Sequence, residues 1–190
     1  MKTNLARLAA TLGLLIGTVL TASAEIDTTK LGRIELASVQ RPEVVTAGGK
    51  YLLRIDVTFR NRNVESLKLR NATFRLAACP GQSEAAARLD VGKGWVSELI
   101  LPGTGAKPGA SGVAAVQLTI EVGPKTEETS DRLFELLNLL AKPDAAALVN
   151  LRCTSEVGLE LPRGWAYEVG KIYEVEMGLE PQVGHVVPLK

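Results

Sequence analysis

The sequence predicts a mainly β protein, an antiparallel β-sandwich with one amphipathic helix. From Val149 to Leu161, every odd position is apolar or small, which is the period of a strand with one buried face. A second clean alternation runs from Tyr51 to Arg60. Only Thr126–Lys142 has a convincing helical period, so strands do not alternate with helices along the chain.

The first 24 residues have the pattern of a signal peptide. Lys2 and Arg7 form a basic start, Leu8–Leu20 is apolar, and Ala22-Ser23-Ala24 is a cleavage signature. An uncleaved anchor is the alternative, but the apolar stretch is shorter than the roughly 20 residues of a membrane span. We therefore predict a signal peptide at 1–24, one sandwich domain at 25–180 and an irregular tail at 181–190. The protein is then expected to be exported, periplasmic if the source has an outer membrane and otherwise secreted, with no transmembrane segment after cleavage.

Three strands are predicted in the first half of the domain. The first is Leu31–Val39, which Pro42 limits. The second, Tyr51–Arg60, ends at Asn61-Arg62-Asn63, a polar turn in which asparagine tolerates left-handed dihedrals. The third is Leu67–Ala78, where the apolar phase changes near Arg70-Asn71. This change predicts a bulge or a change of sheet.

The middle of the chain is less regular. Ala85–Leu89 fits a short strand or a helical turn, and Trp95–Leu101 fits a strand entered through Gly92-Lys93-Gly94. Pro102–Gly112 is rich in glycine and proline, which predicts an exposed loop. A further strand begins near Val113. Its inward residues are predicted to be Val116, Leu118, Ile120 and Val122.

The helix is predicted over Thr126–Lys142, with Pro143 ending it. Its apolar stripe contains Leu133, Leu136, Leu137 and Leu140, which Phe134 and Leu139 broaden. We expect more than half of the helix to be covered. A last strand region is predicted over Trp165–Met177.

The chain has two cysteines, Cys79 and Cys153. In an exported protein they are candidates for a disulfide, and two unpaired thiols are the alternative. The sequence leaves both readings open, because it does not give the distance between the Cα atoms.

Basic residues are concentrated between Lys50 and Arg75, and acidic residues between Glu156 and Glu180. One interpretation is that these stretches are neighbouring strands whose outward charges pair. The other is a basic face that meets other envelope proteins or anionic envelope surfaces. The candidate interaction face consists of Arg54, Arg60, Arg62, Lys68 and Arg70.

Several local motifs resemble the type 2 late embryogenesis abundant family, also called the water stress and hypersensitive response (WHy) domain. Asn61-Arg62-Asn63 stands where the family usually has Asn-Pro-Asn. Asn71–Leu76 is similar to the family's next strand, and Pro108–Gly112 to its Pro-Gly-Ser entry to an alternating strand. The resemblance covers roughly residues 32–177. It implies an immunoglobulin/fibronectin-like sandwich, no catalytic residues, and a role in stress tolerance through protection of other proteins.

No residue pattern predicts catalysis, a cofactor or a metal. The single histidine, His185, lies in the tail, and one histidine with two cysteines does not suit a zinc site. Asp56 and Glu65 are conceivable as a hydrolase pair, but exposed strand positions explain them more simply. Trp95 and Trp165 each follow a glycine, and we interpret both as lying at the edge of the core rather than as ligand-stacking platforms.

We therefore expect an exported, non-catalytic protein that binds or protects other macromolecules of the cell envelope. The alternative is an interaction or assembly subunit of an envelope complex, and a hydrolase is a third class. Export argues against nucleic acid as a partner.

Overall fold

The computed structural model describes residues 25–31, 33–78, 89–108, 110–141, 149–178 and 186–189. These residues form two helices and nine strands. The helices are α1 (Thr28–Leu31) and α2 (Glu127–Leu140). The strands are β1 (Ile34–Ala47), β2 (Lys50–Asn61), β3 (Leu67–Ala78), β4 (Leu89–Leu101), β5 (Val113–Pro124), β6 (Val149–Leu161), β7 (Gly164–Tyr167), β8 (Ile172–Gly178) and β9 (Val186–Leu189).

The strands form one antiparallel sheet in the order β1-β2-β5-β4-β3-β6-β8-β9, with β7 paired to β6. The prediction of a mainly β protein is confirmed. In the described part of the chain, β4 and β5 pair only through Lys93 with Glu121 and Gly94 with Ile120. This narrow junction joins β1-β2-β5 to the remaining strands.

The sheet bends so that its inner faces meet. The rings of Phe59 on β2 and Phe74 on β3 lie 5.9 Å apart, although β5 and β4 separate these strands in the sheet. At the far ends of the order, β1 approaches β8. The core between these faces is filled by alternate strand residues. They include Leu53, Ile55, Val57, Leu69, Leu76, Leu118, Ile120, Leu151, Val157 and Val175.

The strongest strand predictions are confirmed. The bounds of β3 and β6 are those expected, and β2 extends one residue beyond each end of its prediction. On β6 the odd positions from Val149 to Leu159 are buried, whereas Leu161 at its end is 38% exposed. The bulge in β3 is also present. Asn71 has a φ of 50°, and the pairing of β3 with β6 shifts between Arg70 and Thr73.

Both predicted ends of the first strand are wrong: β1 begins at Ile34 rather than at Leu31, which lies in α1, and it continues through Pro42 to Ala47. The pairing with β2 shifts between Gln40 and Glu43, where Arg41 has a φ of 51°. A proline removes one ladder hydrogen bond, which an edge strand tolerates at a bulge. Pro42 therefore interrupts the pairing of β1 without ending the strand.

Two further expectations are wrong. Gly92-Lys93-Gly94 does not form an entry turn but lies within β4, where the glycines allow the backbone of β5 to approach. The tail is not irregular throughout, since Val186–Leu189 pairs with β8 as β9. Predictions on residues 79–88, 142–148 and 179–185, which include Cys79, Pro143 and His185, lie outside the described residues.

Helix α2 begins after Thr126, whose side-chain oxygen accepts a hydrogen bond from the Thr129 backbone N–H. Leu133, Leu136 and Leu139 are buried, and the helix packs near β4 and β5. Phe134 is 67% exposed, so the expectation that it broadens the covered face is wrong. Among the described residues, no helix has the length and apolar character that a membrane span requires.

The Asn61-Arg62-Asn63 turn is built on buried side chains rather than on left-handed dihedrals. Asn61 is fully buried and its amide donates to the carbonyls of Glu65 and Leu101. The oxygen of the same amide accepts from the backbone and the side chain of Asn63. The Arg62 backbone N–H, which proline lacks, donates to the Arg33 carbonyl at 3.0 Å. The turn is therefore hydrogen-bonded to three other segments, at Arg33, Glu65 and Leu101.

Candidate functional site

The structure does not bring the predicted basic face together. Arg54 and Arg60 lie on β2, whereas Lys68 and Arg70 lie on β3, and two strands, β5 and β4, separate β2 from β3 in the sheet. The face is also largely engaged by neighbouring acids. Arg54 lies 3.8 Å from Glu43, Arg62 lies 2.8 Å from Glu35, and Lys68 lies 2.6 Å from Glu98.

Lys68 and Arg70 hold the β7 hairpin against the sheet. The Lys68 ammonium lies 5.8 Å from the Trp165 ring centre, and the Arg70 guanidinium lies 4.4 Å from that of Tyr167. The Tyr167 ring occupies the space that a side chain at Gly158 would fill. Trp165 is half-buried here, in accord with its interpretation as a residue at the edge of the core.

The acidic stretch pairs mostly within the C-terminal half of the chain. Arg152 on β6 lies 2.8 Å from Glu174 and 3.3 Å from Glu176, both on β8. One cross-strand relation links the two charged stretches, Arg70 opposite Glu156. The expectation that the basic and acidic stretches are neighbours therefore holds for β3 and β6. The basic residues of β2 instead form ion pairs with acidic residues of β1 and β5.

Cys153 is a buried free thiol on β6. Burial raises the pKa of this thiol to about 12. Its proposed partner Cys79 lies outside the described residues. The last described residue of β3, Ala78, pairs with Val149, four residues and about 13 Å along β6 from Cys153. The thiol of Cys153 is therefore a protonated core group rather than a nucleophile.

The conceivable hydrolase pair, Asp56 and Glu65, is bound by other side chains. Asp56 accepts a hydrogen bond from Gln117 on the next strand, and Glu65 binds Lys30 at 2.6 Å. The hydrogen bond from Lys30 lowers the pKa of Glu65. Within the residues that the structure describes, no three acidic, histidine or cysteine side chains are grouped as metal ligands.

A shallow groove crosses the outer face of the sheet from β5 to β8, and we call it the cross-strand groove. Its section beside Trp95 has a volume of about 430 Å³, and its section between Thr73 and Leu189 about 390 Å³. Arg75 lines three of the four adjoining sections, and Asp90 lines two of these three. From Glu121 to Glu174 the groove spans four strand spacings, roughly 19 Å.

Two rows of side chains form the floor of the groove. The register places Glu121, Lys93, Arg75, Arg152 and Glu176 in one row, each opposite the next. The second row, two residues along each strand, contains Trp95, Thr73, Thr154 and Glu174. Three basic residues therefore lie side by side on β4, β3 and β6, with acidic residues at both ends.

The acids at the ends do not neutralise the centre of the row. Glu121, opposite Lys93, is 2.7 Å from Lys50. Glu174 and Glu176 are held by Arg152. Within the described residues, neither Arg75 nor Lys93 forms an ion pair. Like charges directly opposite each other destabilise a sheet, so this arrangement is a candidate site for an anion.

Trp95 is exposed at one end of the groove. Its side chain is 63% exposed, so its interpretation as an edge of the core is wrong. The change of phase in β3 is shared by β4, its partner in register, and turns Trp95 outward. The alternative weighed for this residue, a stacking platform, is the one that the geometry suits.

Sequence reasoning missed the groove because its residues are far apart along the chain: Arg75 lies 18 positions before Lys93 and 77 positions before Arg152. Arg75 was grouped with the basic stretch, but its neighbours Lys93 and Arg152 were not. The available signal was Gly92-Lys93-Gly94 before a tryptophan. An added Cβ at Gly94 would lie 2.4 Å from the Thr119 carbonyl oxygen, so the glycine permits the junction that forms the groove.

No known family model matches the chain. No curated protein matches it either. A solved structure described as "Crystal structure of protein from Archaeoglobus fulgidus" aligns with 76% of this chain and 97% of that chain. The identity is 13% and the TM-score is 0.31.

Proposed function

We propose that this chain is an exported, non-catalytic binding protein that holds another macromolecule of the cell envelope in the cross-strand groove. The observation that carries the proposal is the row of Lys93, Arg75 and Arg152, whose central charges have no ion-pair partner among the described residues. Exposed Trp95 beside this row supplies a flat apolar surface. Unpaired charge beside an exposed aromatic ring is typical of a binding surface.

The chemistry of the groove favours binding over catalysis. Arginine is charged at all physiological pH values and acts as a hydrogen-bond donor, not as a general base. The one thiol that the structure describes, Cys153, points away from the groove into the core. We therefore assign the groove to recognition.

We further propose that the sheet is an immunoglobulin/fibronectin-like sandwich of the kind that the WHy resemblance implies. Support comes from the contact between Phe59 and Phe74 and from the narrow junction at Lys93 and Gly94. Two facing layers joined at one short pairing behave as two packed sheets. The buried turn at Asn61 coincides with the motif that carries the resemblance.

Sedimentation with envelope fragments from the source cells tests the binding proposal. We expect wild-type protein to sediment with the fragments and the double variant Arg75→Glu/Lys93→Glu to stay in the supernatant. The matched control Arg54→Glu/Arg60→Glu changes two exposed arginines on β2 and should sediment like the wild type. Circular dichroism verifies that each variant is folded.

Two results would contradict this proposal. Unchanged sedimentation of Arg75→Glu/Lys93→Glu would show that the groove is not the binding surface. Loss of sedimentation in Arg54→Glu/Arg60→Glu alone would favour the alternative, an assembly subunit that docks through the predicted basic face.

The stress-protective form of the proposal has its own test. A reporter enzyme is dried with this protein or with an equal mass of albumin, and its remaining activity is measured after rehydration. Protection greater than that given by albumin supports the role that the WHy resemblance implies. Equal protection would contradict that role. It would not bear on the binding proposal, which the sedimentation experiment tests.

A further inference from the structure

We infer that the ligand of the cross-strand groove is an acidic glycan, an oligosaccharide in which carboxylate-bearing rings alternate with neutral rings. The inference rests on the proposed function and names the class of macromolecule that the groove recognises. Three features support it: the order of charges along the groove, the second row of side chains, and the pairing of the strands that lie under the groove.

The order of charges selects a ligand with spaced anionic groups. Arg75 and Lys93, which form no ion pair among the described residues, attract a carboxylate. Asp90 lines the groove beside them, and the acids at the two ends, Glu121 and Glu174, already pair with Lys50 and Arg152, so a second carboxylate is not favoured there. A strand with a charge at every unit, such as a nucleic acid, would place charges against both acids. A glycan with neutral rings on either side of an acidic ring matches the pattern.

The second row suits sugar rings. The Trp95 indole is exposed at one end of this row, where the apolar C–H face of a pyranose can lie on it. Thr73 and Thr154 follow across the next two strands, directly opposite each other. Their hydroxyl groups both donate and accept, as sugar hydroxyls require.

The backbone under the groove does not favour a peptide. Extended peptides bind sheets mainly by adding a strand to a free edge, where unpaired backbone groups give affinity. The groove crosses β3 and β6, which are paired on both sides, and β4, whose pairing with β5 is confined to Lys93 and Gly94 in the described part of the chain. A peptide lying across them would therefore gain no backbone pairing, so an acidic peptide is the weaker candidate.

Isothermal titration with defined probes tests this inference. The probes are a hyaluronan hexasaccharide, in which uronate and neutral rings alternate, neutral chitohexaose, and poly-L-glutamate of similar length. We expect the hyaluronan hexamer to bind at least tenfold more tightly than either other probe. Arg75→Gln, Lys93→Gln and Trp95→Ala should each weaken that binding by at least tenfold.

Matched variants separate the groove from general surface effects. Arg54→Gln removes an exposed arginine from β2, and Phe134→Ala removes an aromatic ring that is 67% exposed on α2. Neither should change the affinity for hyaluronan by more than twofold. Equal losses in these controls would overturn the assignment of the ligand to the groove.

The outcomes distinguish the inference from the proposed function. Equal binding of poly-L-glutamate, equal binding of chitohexaose, or no binding of hyaluronan overturns the acidic glycan. In each of these cases, sedimentation that depends on Arg75 and Lys93 still supports a macromolecule in the groove. Sedimentation that does not depend on them overturns the proposed function, whatever the probes do.

Discussion

Arg75 on β3 lies directly opposite Arg152 on β6, although cross-strand neighbours in a sheet are more stable with opposite charges. Arg152 is neutralised by Glu174 and Glu176, whereas Arg75 also faces Lys93 on its other side. A positive charge at position 75 is therefore unfavourable for the stability of the sheet and favourable for the binding of an anion. Such trade-offs are common where a residue serves a ligand.

We predict that Arg75→Gln stabilises the folded protein while it weakens binding. Removing one of three neighbouring positive charges should raise the free energy of unfolding by about 0.2–1 kcal/mol at low salt. The gain should shrink as sodium chloride is added, because exposed charges are screened. Urea denaturation at two salt concentrations measures both effects.

Arg152→Gln is the matched comparison for this prediction. It removes the partner of Glu174 and Glu176, so it should lower the free energy of unfolding. If Arg75→Gln destabilised the protein as Arg152→Gln does, Arg75 would have a structural role and the interpretation of the row would be wrong.

We predict that Gly94→Ala destabilises the fold by about 1–3 kcal/mol, because the added methyl overpacks the junction. The Cβ would lie 2.4 Å from the Thr119 carbonyl oxygen and 2.9 Å from the Ile120 side chain. Thermal or chemical denaturation measures the loss. Ser97→Ala, at an exposed position of the same strand, is the control and should change stability by less than about 0.5 kcal/mol.

The outcome at Gly94 also bears on the groove. An unchanged stability of Gly94→Ala would mean that β4 and β5 do not approach as closely as the structure describes. The junction beneath Trp95 would then need another explanation.

We predict that Asn61→Ala destabilises the protein by about 1–3 kcal/mol, because it leaves buried polar groups without partners. The lost bonds join Asn61 to Glu65, Leu101 and Asn63. Arg62→Ala removes an ion pair in which Arg62 is 52% and Glu35 14% exposed, so it should cost about 1 kcal/mol, less than Asn61→Ala. A larger effect for Arg62→Ala than for Asn61→Ala, measured by urea denaturation, would contradict this account of the turn.

We predict that Cys153 makes stability fall with rising pH in the alkaline range. Burial raises its pKa from 9.0 to about 12, so the folded state keeps the proton that the unfolded state loses. This contribution is complete below pH 9 and is lost as pH rises towards 12. The free energy of unfolding should therefore fall more steeply above pH 9 in the wild type than in Cys153→Ala.

The same thiol should resist modification in the native protein. Iodoacetamide should leave the peptide that contains Cys153 unlabelled in native protein and label it after denaturation without a reductant. Labelling that needs a reductant would show that Cys153 is in a disulfide, and labelling in the native state would contradict its burial.

Alternation predicted the individual strands well and their neighbours poorly. In Tyr51–Arg60 and Val149–Leu161 each inward residue is fixed by the period of two, so propensity, pattern and burial agree. In β1, Pro42 predicts the end of the strand. The strand continues past it, because an edge strand accommodates a bulge. Local pattern is therefore sufficient where one face is continuously buried.

The candidate site could not be predicted in the same way. The rows of the groove depend on the order β5-β4-β3-β6-β8, which is a property of the sheet and not of any one segment. The basic face is predicted from nearness in sequence, yet Arg54 and Arg70 belong to strands three places apart in the sheet. The sequence predicts Trp95 at the edge of the core, because the phase change that β3 and β4 share is invisible in β4 alone.

Quenching of tryptophan fluorescence tests the central claim most directly, because the chain has two tryptophans and one of them lies in the groove. The Trp165→Phe variant reports on Trp95 and the Trp95→Phe variant reports on Trp165. On addition of envelope fragments from the source cells, we predict that Trp95 becomes protected from acrylamide and that Trp165 keeps its accessibility. Protection of Trp165 without protection of Trp95 would contradict the account, because the ligand would then lie on the β7 hairpin and not in the groove.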